Sequence, residues 1–136
     1  MSSPATELQD AIEAAVRADA ALMAIIAGIY DRVPDRPWGA ANGYISFGPW
    51  DSVSQEGGCQ AIEDVSLQLD AWSNRTGRAH CEEIMQRLRR IMGQVQTDRH
   101  PIVARGDPFS QVLRDPNGLT LHGVLRYEFQ MERYDG

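Results

Sequence analysis

Lysine is missing from this sequence of 136 residues, and all thirteen basic residues are arginine. They face nineteen acidic residues, giving a formal net charge of −6 and an isoelectric point near 4.9. A protein that binds nucleic acid by releasing counterions carries a basic patch or stripe, and no such run is present. Long apolar runs are missing too. The stretch from Ala20 to Ile29 is far shorter than the roughly 20 residues that cross a bilayer. A basic amphipathic helix that could lie on a membrane is likewise absent. The opening stretch, Pro4 to Ala18, carries acidic residues and reads as an amphipathic helix, unlike a secretory signal. Cysteine is scarce: Cys59 and Cys81 form no CxxC pair, so a disulfide scaffold is not expected and both thiols are expected reduced in a cytosol.

What is present is ordinary for a globular chain. With 43% hydrophobic and 24% charged residues, wholesale disorder is excluded. The length suits one domain spanning residues 1–136, large enough to bury a core. The exclusive use of arginine has two readings: codon usage in a GC-rich genome, or the suitability of its planar five-donor fork for protein interfaces.

The pattern along the chain predicts helices first, then strands, one long helix, and strands again. Ser3-Pro4 marks a helix start, and Leu8, Ile12, Ala15 and Val16 recur at helical spacing. Asp19 is expected to cap a second helix over 20–27, followed by a short strand over 29–33. The stretch from Pro34 to Gly43 is broken by Pro and Gly and reads as a loop. A strand over 44–47 is expected to close at Gly48-Pro49, with an exposed polar loop over 51–60. Residues 61–73 alternate as a strand, with Val65, Leu67, Leu69 and Ala71 facing one way. The strongest helix is predicted over 77–95, its apolar face being Cys81, Ile84, Met85, Leu88, Ile91, Met92 and Val95. Short strands follow over 102–105 and 109–114. The turn Asp115-Pro116-Asn117-Gly118 opens a strand over 119–132 with Leu119, Leu121, Gly123, Leu125, Tyr127, Phe129 and Met131 inward.

This order predicts an α+β fold: a largely antiparallel sheet with a long C-terminal hairpin, covered by helices on one face. Strands of thirteen or fourteen residues run roughly 45 Å at about 3.3 Å per residue. A compact globule of this length is on the order of 36 Å across. Either the strands overhang the body, as they do when a hairpin reaches a neighbouring subunit, or a bulge breaks one of them, for which Gly123 is the natural place.

Catalytic patterns are sparse. His80, His100 and His122 fall in three different elements and form no HExxH or other metal-ligand spacing. Zinc held by Cys59, His80, Cys81 and His100 competes with a buried structural role for Cys81, whose helical position favours the latter. Gly57-Gly58 lacks the strand–loop–helix context and lysine of a phosphate cradle, and no serine sits in a GxSxG elbow. No enzyme activity, metal or cofactor is expected. The candidate interface residues are Trp38, Trp50 and Trp72, which read either as packing or as anchors for a partner, with Asp115, Asn117 and His122 beside them.

Several segments resemble one family: Arg17-Ala18-Asp19-Ala20-Ala21-Leu22, Ile29-Tyr30-Asp31-Arg32-Val33-Pro34, Leu69-Asp70-Ala71-Trp72-Ser73, Gly77-Arg78, and the hairpin from Leu113 to Tyr127. In order and spacing they resemble the tail terminator or tail-completion proteins of long-tailed phages, prophages and gene transfer agents. The family usually has proline before the strand that begins at Tyr44, where this chain has Gly43, and the segment from Val53 to Gln60 departs from its pattern. The resemblance implies a non-enzymatic subunit of a hexameric ring that caps the tail tube, stops its growth and joins it to the head connector. Its implied partners are copies of itself, the tail tube protein and the connector or stopper protein, with DNA only passing through the lumen. Its implied place is the head-proximal neck of a particle assembled in bacterial cytoplasm. The alternatives are another neck component, such as a head–tail adaptor or stopper, and, from a different class, a small hydrolase or metal-binding domain.

Overall fold

The N-terminal helix α1 spans Pro4–Ala18 in the computed structural model, which describes residues 2–57 and 60–134. Ser3 caps it, its Oγ accepting from the Thr6 N–H at 3.2 Å, and Pro4 occupies the first turn, where no N–H is missed. Its stripe of Leu8, Ile12 and Val16 is fully buried. Asp19 ends α1 and caps the four-residue helix α2, Ala20–Met23, its carboxylate accepting from the Leu22 N–H at 2.9 Å. The helix expected to reach residue 27 stops early because the chain is drawn to other partners: the Ala27 N–H bonds the Gly43 carbonyl, and the Ile25 carbonyl bonds His80.

The strands are β1 (Ile29–Tyr30), β2 (Gly43–Gly57), β3 (Gln60–Ser73), β4 (Ile102–Arg105), β5 (Phe109–Arg114) and β6 (Leu121–Glu132), with helix α3 (Ala79–Gln94) between β3 and β4. They form a sheet in the order β1-β2-β3-β6-β4, and β5 also pairs β6. Strands β4 and β5 therefore share one edge of β6. The β1–β2 pairing is parallel and the others are antiparallel, so the architecture is the expected α+β. Strand β1 is shorter than expected, because only Ile45 and Ser46 pair with it and Pro34 follows soon after.

Helices α1 and α3 cover one sheet face. Cys81, Ile84, Met85, Leu88, Ile91, Met92 and Val95 are all buried, as their three–four spacing predicts. They meet Val65, Leu67, Leu69 and Ala71 of β3 and Leu121, Leu125, Tyr127, Phe129 and Met131 of β6 in one cluster. Leu119 departs from this inward set: it lies before β6 in the turn and is 73% exposed.

Three further readings are corrected. The segment over 51–60 is not an open loop: β2 continues through Gly57 and pairs β3 to the Gly57↔Gln60 rung. Gly48-Pro49 forms a bulge instead of ending the strand. From Phe47↔Leu69 to Trp50↔Leu67, three steps along β2 match two along β3. Proline is tolerated there because, among the described residues, β2 has no second neighbour beyond Ser46, so no ladder donor is lost. Gly123 hosts no bulge, since the β3–β6 register is unbroken from Ser73↔Leu121 to Ile62↔Glu132. Its role is close approach: a Cβ there would lie 2.4 Å from Met85 Sδ and 3.0 Å from Cys81 Sγ. The fourteen residues of β3 run about 46 Å, and the hairpin carries two rungs, Ala61↔Glu56 and Gln60↔Gly57, past the last rung of β6.

Candidate functional site

Alternation along β2, β3 and β6 sends every second side chain to the sheet face away from the helices. The rungs Tyr44↔Trp72 and Trp72↔His122 place these three rings side by side on that face. The rings of Trp72 and His122 stack at 3.8 Å, and Tyr44 lies 6.1 Å from Trp72. Trp38, from the loop before β2, meets Tyr44 edge-on at 4.9 Å, and Tyr30 lies 6.1 Å from Tyr44. Polar partners fix the cluster: Trp72 Nε1–H donates to Ser46 Oγ at 3.0 Å, and His122 Nε2 bonds Asp70 at 2.6 Å. Burial raises the Tyr44 hydroxyl above its ordinary range, and the charges of Asp115 and Asp70 add to this.

Asp115 and Asn117 sit in the turn that joins β5 to β6. Gly118 has φ +73°, and its N–H bonds the Asp115 carbonyl at 2.8 Å. The Asn117 side chain accepts from the N–H groups of Leu119 and Thr120. Thr120 in turn donates to Asn74 at 2.7 Å, tying the turn to the end of β3. Of the six sequence candidates, then, Trp38, Trp72 and His122 share one packed cluster, with Asp115 within electrostatic reach of its Tyr44. Asn117 braces the neighbouring turn. Only Trp50 stands apart. Its pairing with Leu67 puts it on the helix-side face beside the start of α1, where it borders a crevice with Ala5 and Gln9 and is 54% exposed. Sequence reading missed Tyr44 as the hub, although its position opposite Trp72 follows once the β2–β3 register is known.

The histidines remain separate. Between β3 and α3, Ser73 Oγ lies 2.7 Å from His80 Nδ1, while His80 Nε2 faces the Ile25 carbonyl at 2.7 Å. Only Nε2–H can serve a carbonyl, so Nδ1 accepts from the serine hydroxyl and both nitrogens are occupied. Burial lowers the His80 pKa, which keeps the ring neutral. His100 ties both chain ends: its Nε2 donates to the Ser2 carbonyl at 2.9 Å and its Nδ1 accepts from the Tyr134 N–H at 2.9 Å. Beside it, Glu7 accepts from the backbone N–H groups of Asp98, Arg99 and His100. Burial raises the Glu7 pKa, but these three bonds outweigh it and hold the carboxyl below its usual range. Cys81 is buried, and burial, with the charge of Glu82, pushes its thiol up to about 11, far from nucleophilic. Cys59 lies outside the described residues, and among those residues no three His, Cys, Asp or Glu side chains gather as metal ligands.

Among the described residues, two stretches of sheet edge are left without an outer neighbour. Beyond the bulge, Asp51 to Gln55 are exposed on both faces. On the opposite edge all of β5 is exposed except Val112, which is half-buried. Of the eight large hydrophobic side chains exposed among the described residues, five lie on these edges: Trp50 and Val53 on one, Val103, Phe109 and Leu113 on the other. Natural sheets usually blunt such edges.

A family model described as "Tail completion protein gp17" matches residues 10–132. Among solved structures, a chain of "Virion of native gene transfer agent (GTA) particle" is similar at 23% identity with a TM-score of 0.80, covering 94% of this chain and 96% of that one. At that identity the likeness speaks for the fold. No curated protein matches.

Proposed function

The chain belongs to the tail completion protein gp17 family, a structural family of phage-like tails, and we propose that it is the subunit of a ring, of six copies, that caps the tail tube. The family match over residues 10–132 carries this reading. A tube is a heterologous, open-ended assembly that keeps growing until its last interface is occupied. A ring of matching symmetry occupies that interface and turns a new face to the head connector. The long sheet with two uncovered, partly apolar edges supports a subunit built to meet copies of itself. A net charge of −6 supports a lumen through which DNA passes without adhering.

The ring sits at the head-proximal neck and is assembled in the bacterial host. Trp38, Trp72 and His122, locked in one cluster, set the shape of the outer sheet face and are not free anchors. Trp50 is the anchor available to a partner. Deleting the gene and imaging the resulting particles tests capping. Tails of uncontrolled length, detached from filled heads, are the expected product. Tails of normal length still joined to heads refute capping, and tails of normal length without heads point instead to an adaptor or stopper.

A further inference from the structure

We propose that neighbouring copies join by sheet continuation, the outer half of β2 (Trp50 to Gly57) in one copy pairing along the free edge of β5 (Phe109–Arg114) in the next. This rests on the ring reading above and adds the surfaces that close the ring. Four observations meet here. First, among the described residues β2 beyond Ser46 pairs only β3, and β5 pairs only β6, so each leaves a row of ladder donors and acceptors unused. Second, these edges lie on opposite sides of one sheet, which makes the contact head-to-tail; such a contact builds a closed ring when the rotation between copies closes. An isologous edge-to-edge dimer would use one edge twice and leave the other bare.

Third, the charges differ. From Trp50 to Leu67 the hairpin has no basic residue, and its Asp51 and Asp64 project from the outer sheet face, while Glu63 on the other face is paired with Arg133. On the facing edge that same outer face carries Arg126, whose guanidinium lies 5.5 Å from the centre of the Phe109 ring, while Arg89 of α3 reaches the helix-side face, bonding Ser110 at 2.5 Å. Fourth, the shapes correspond. A groove of about 410 Å³ runs between α3 and β5, lined by Met85, Arg89, Ser110, Gln111 and Val112, with Glu82 two turns from Arg89. Trp50 projects from the helix-side face of β2, the side on which that groove would lie for an added strand. Its half-exposed ring is the kind of aromatic anchor that fills such a groove. The six residues of β5 offer about 20 Å of edge, and the outer half of β2 is long enough to cover it.

Two measurements test the contact. In the purified, concentrated Cys59→Ser protein, Ser54→Cys and Ser110→Cys are introduced singly and together and treated with a short thiol cross-linker. A ladder of covalent multimers from the double variant, with monomers from each single variant, is expected. A double variant that stays monomeric, or a single variant that already yields dimers, overturns the proposal; neither result depends on whether the protein caps tails. In particles, the charge-reversed chains Asp51→Arg/Asp64→Arg and Arg126→Glu, changed on the same outer sheet face, should each lose at least tenfold in the fraction of tails with wild-type length. The chain carrying all three changes should recover most of it. Single reversals that behave as wild type, or a combined chain no better than either, overturn the proposal, whereas a gene deletion that leaves tails normal removes the capping reading.

Discussion

The two halves of β2 differ more than most separate strands. Its first half, Gly43 to Phe47, lies between β1 and β3, with Tyr44, Ile45 and Ser46 buried. Its second half, past the Gly48-Pro49 bulge, keeps its ladder with β3 but loses its outer neighbour and its helix cover. One strand thus serves folding at one end and leaves an edge open at the other. Hydrophobic burial is the dominant stabilising force, so mutations should act in proportion to their place in the covered half, and assembly should depend on the open half.

The largest effect is expected in the covered region, at Leu88. It is fully buried, and Leu88→Asp places an unpaired charge in the core at a cost of about 4 kcal/mol or more. Thermal unfolding should show loss of the cooperative transition, and an unchanged melting temperature would mean α3 does not pack as described. Next comes Gly123→Ala. The new Cβ meets Met85 and Cys81, and overpacking of this kind costs roughly 1–3 kcal/mol. A Met85→Ala change in the same chain should return part of that loss, which a double-mutant cycle would read.

Acid should loosen the covered region in two stages. His80 has a folded pKa below its ordinary 6.5, so its contribution is fully present above that value. Below about pH 6.5 the unfolded chain takes up a proton that the native ring refuses, and stability falls. Glu7, depressed below its ordinary 4.5, contributes above that value, and its share is lost as pH falls through the lower folded pKa. Denaturant titrations against pH should show both limbs. Glu7→Gln should flatten the lower limb only, while His80→Gln should flatten the upper one.

The smallest effect belongs to the open half. Val53, 60% exposed, should accept Val53→Thr within about 0.5 kcal/mol, since surface changes away from packed features rarely cost more. A larger loss would show that this edge is covered in the free subunit.

The same contrast explains what could be read from the residues alone. Where one face is dry, alternation is plain: Val65 to Ala71 and Leu121 to Met131 show which way each strand faces. The three–four stripe of α3 is equally plain. In the open half of β2 both faces meet water, so Ser52, Val53, Ser54 and Gln55 carry no alternation and resemble a loop. Gly48-Pro49 looked like a strand end because a bulge on an edge is set by the neighbour that is missing, which no local pattern reveals. Gly123 was legible as special but not for its reason, since only the approach of α3 shows that a side chain has no room. Of the candidate site, the aromatic residues could be named from the sequence. Which of them pack together and which stands free depended on a register that crosses from residue 44 to residue 122.

On this proposal the open edge serves tail assembly while the covered body serves folding. The most direct measurement is the tail-length distribution, by electron microscopy, of particles carrying Trp50→Ser together with Val53→Asp, set beside the melting temperature of the same purified chain. The expected result is a melting temperature within a few degrees of the parent, about the shift that 1 kcal/mol gives a chain this size, and tails that are overlong or detached from heads. Tails of parental length still joined to heads, from a chain that folds normally, would contradict it.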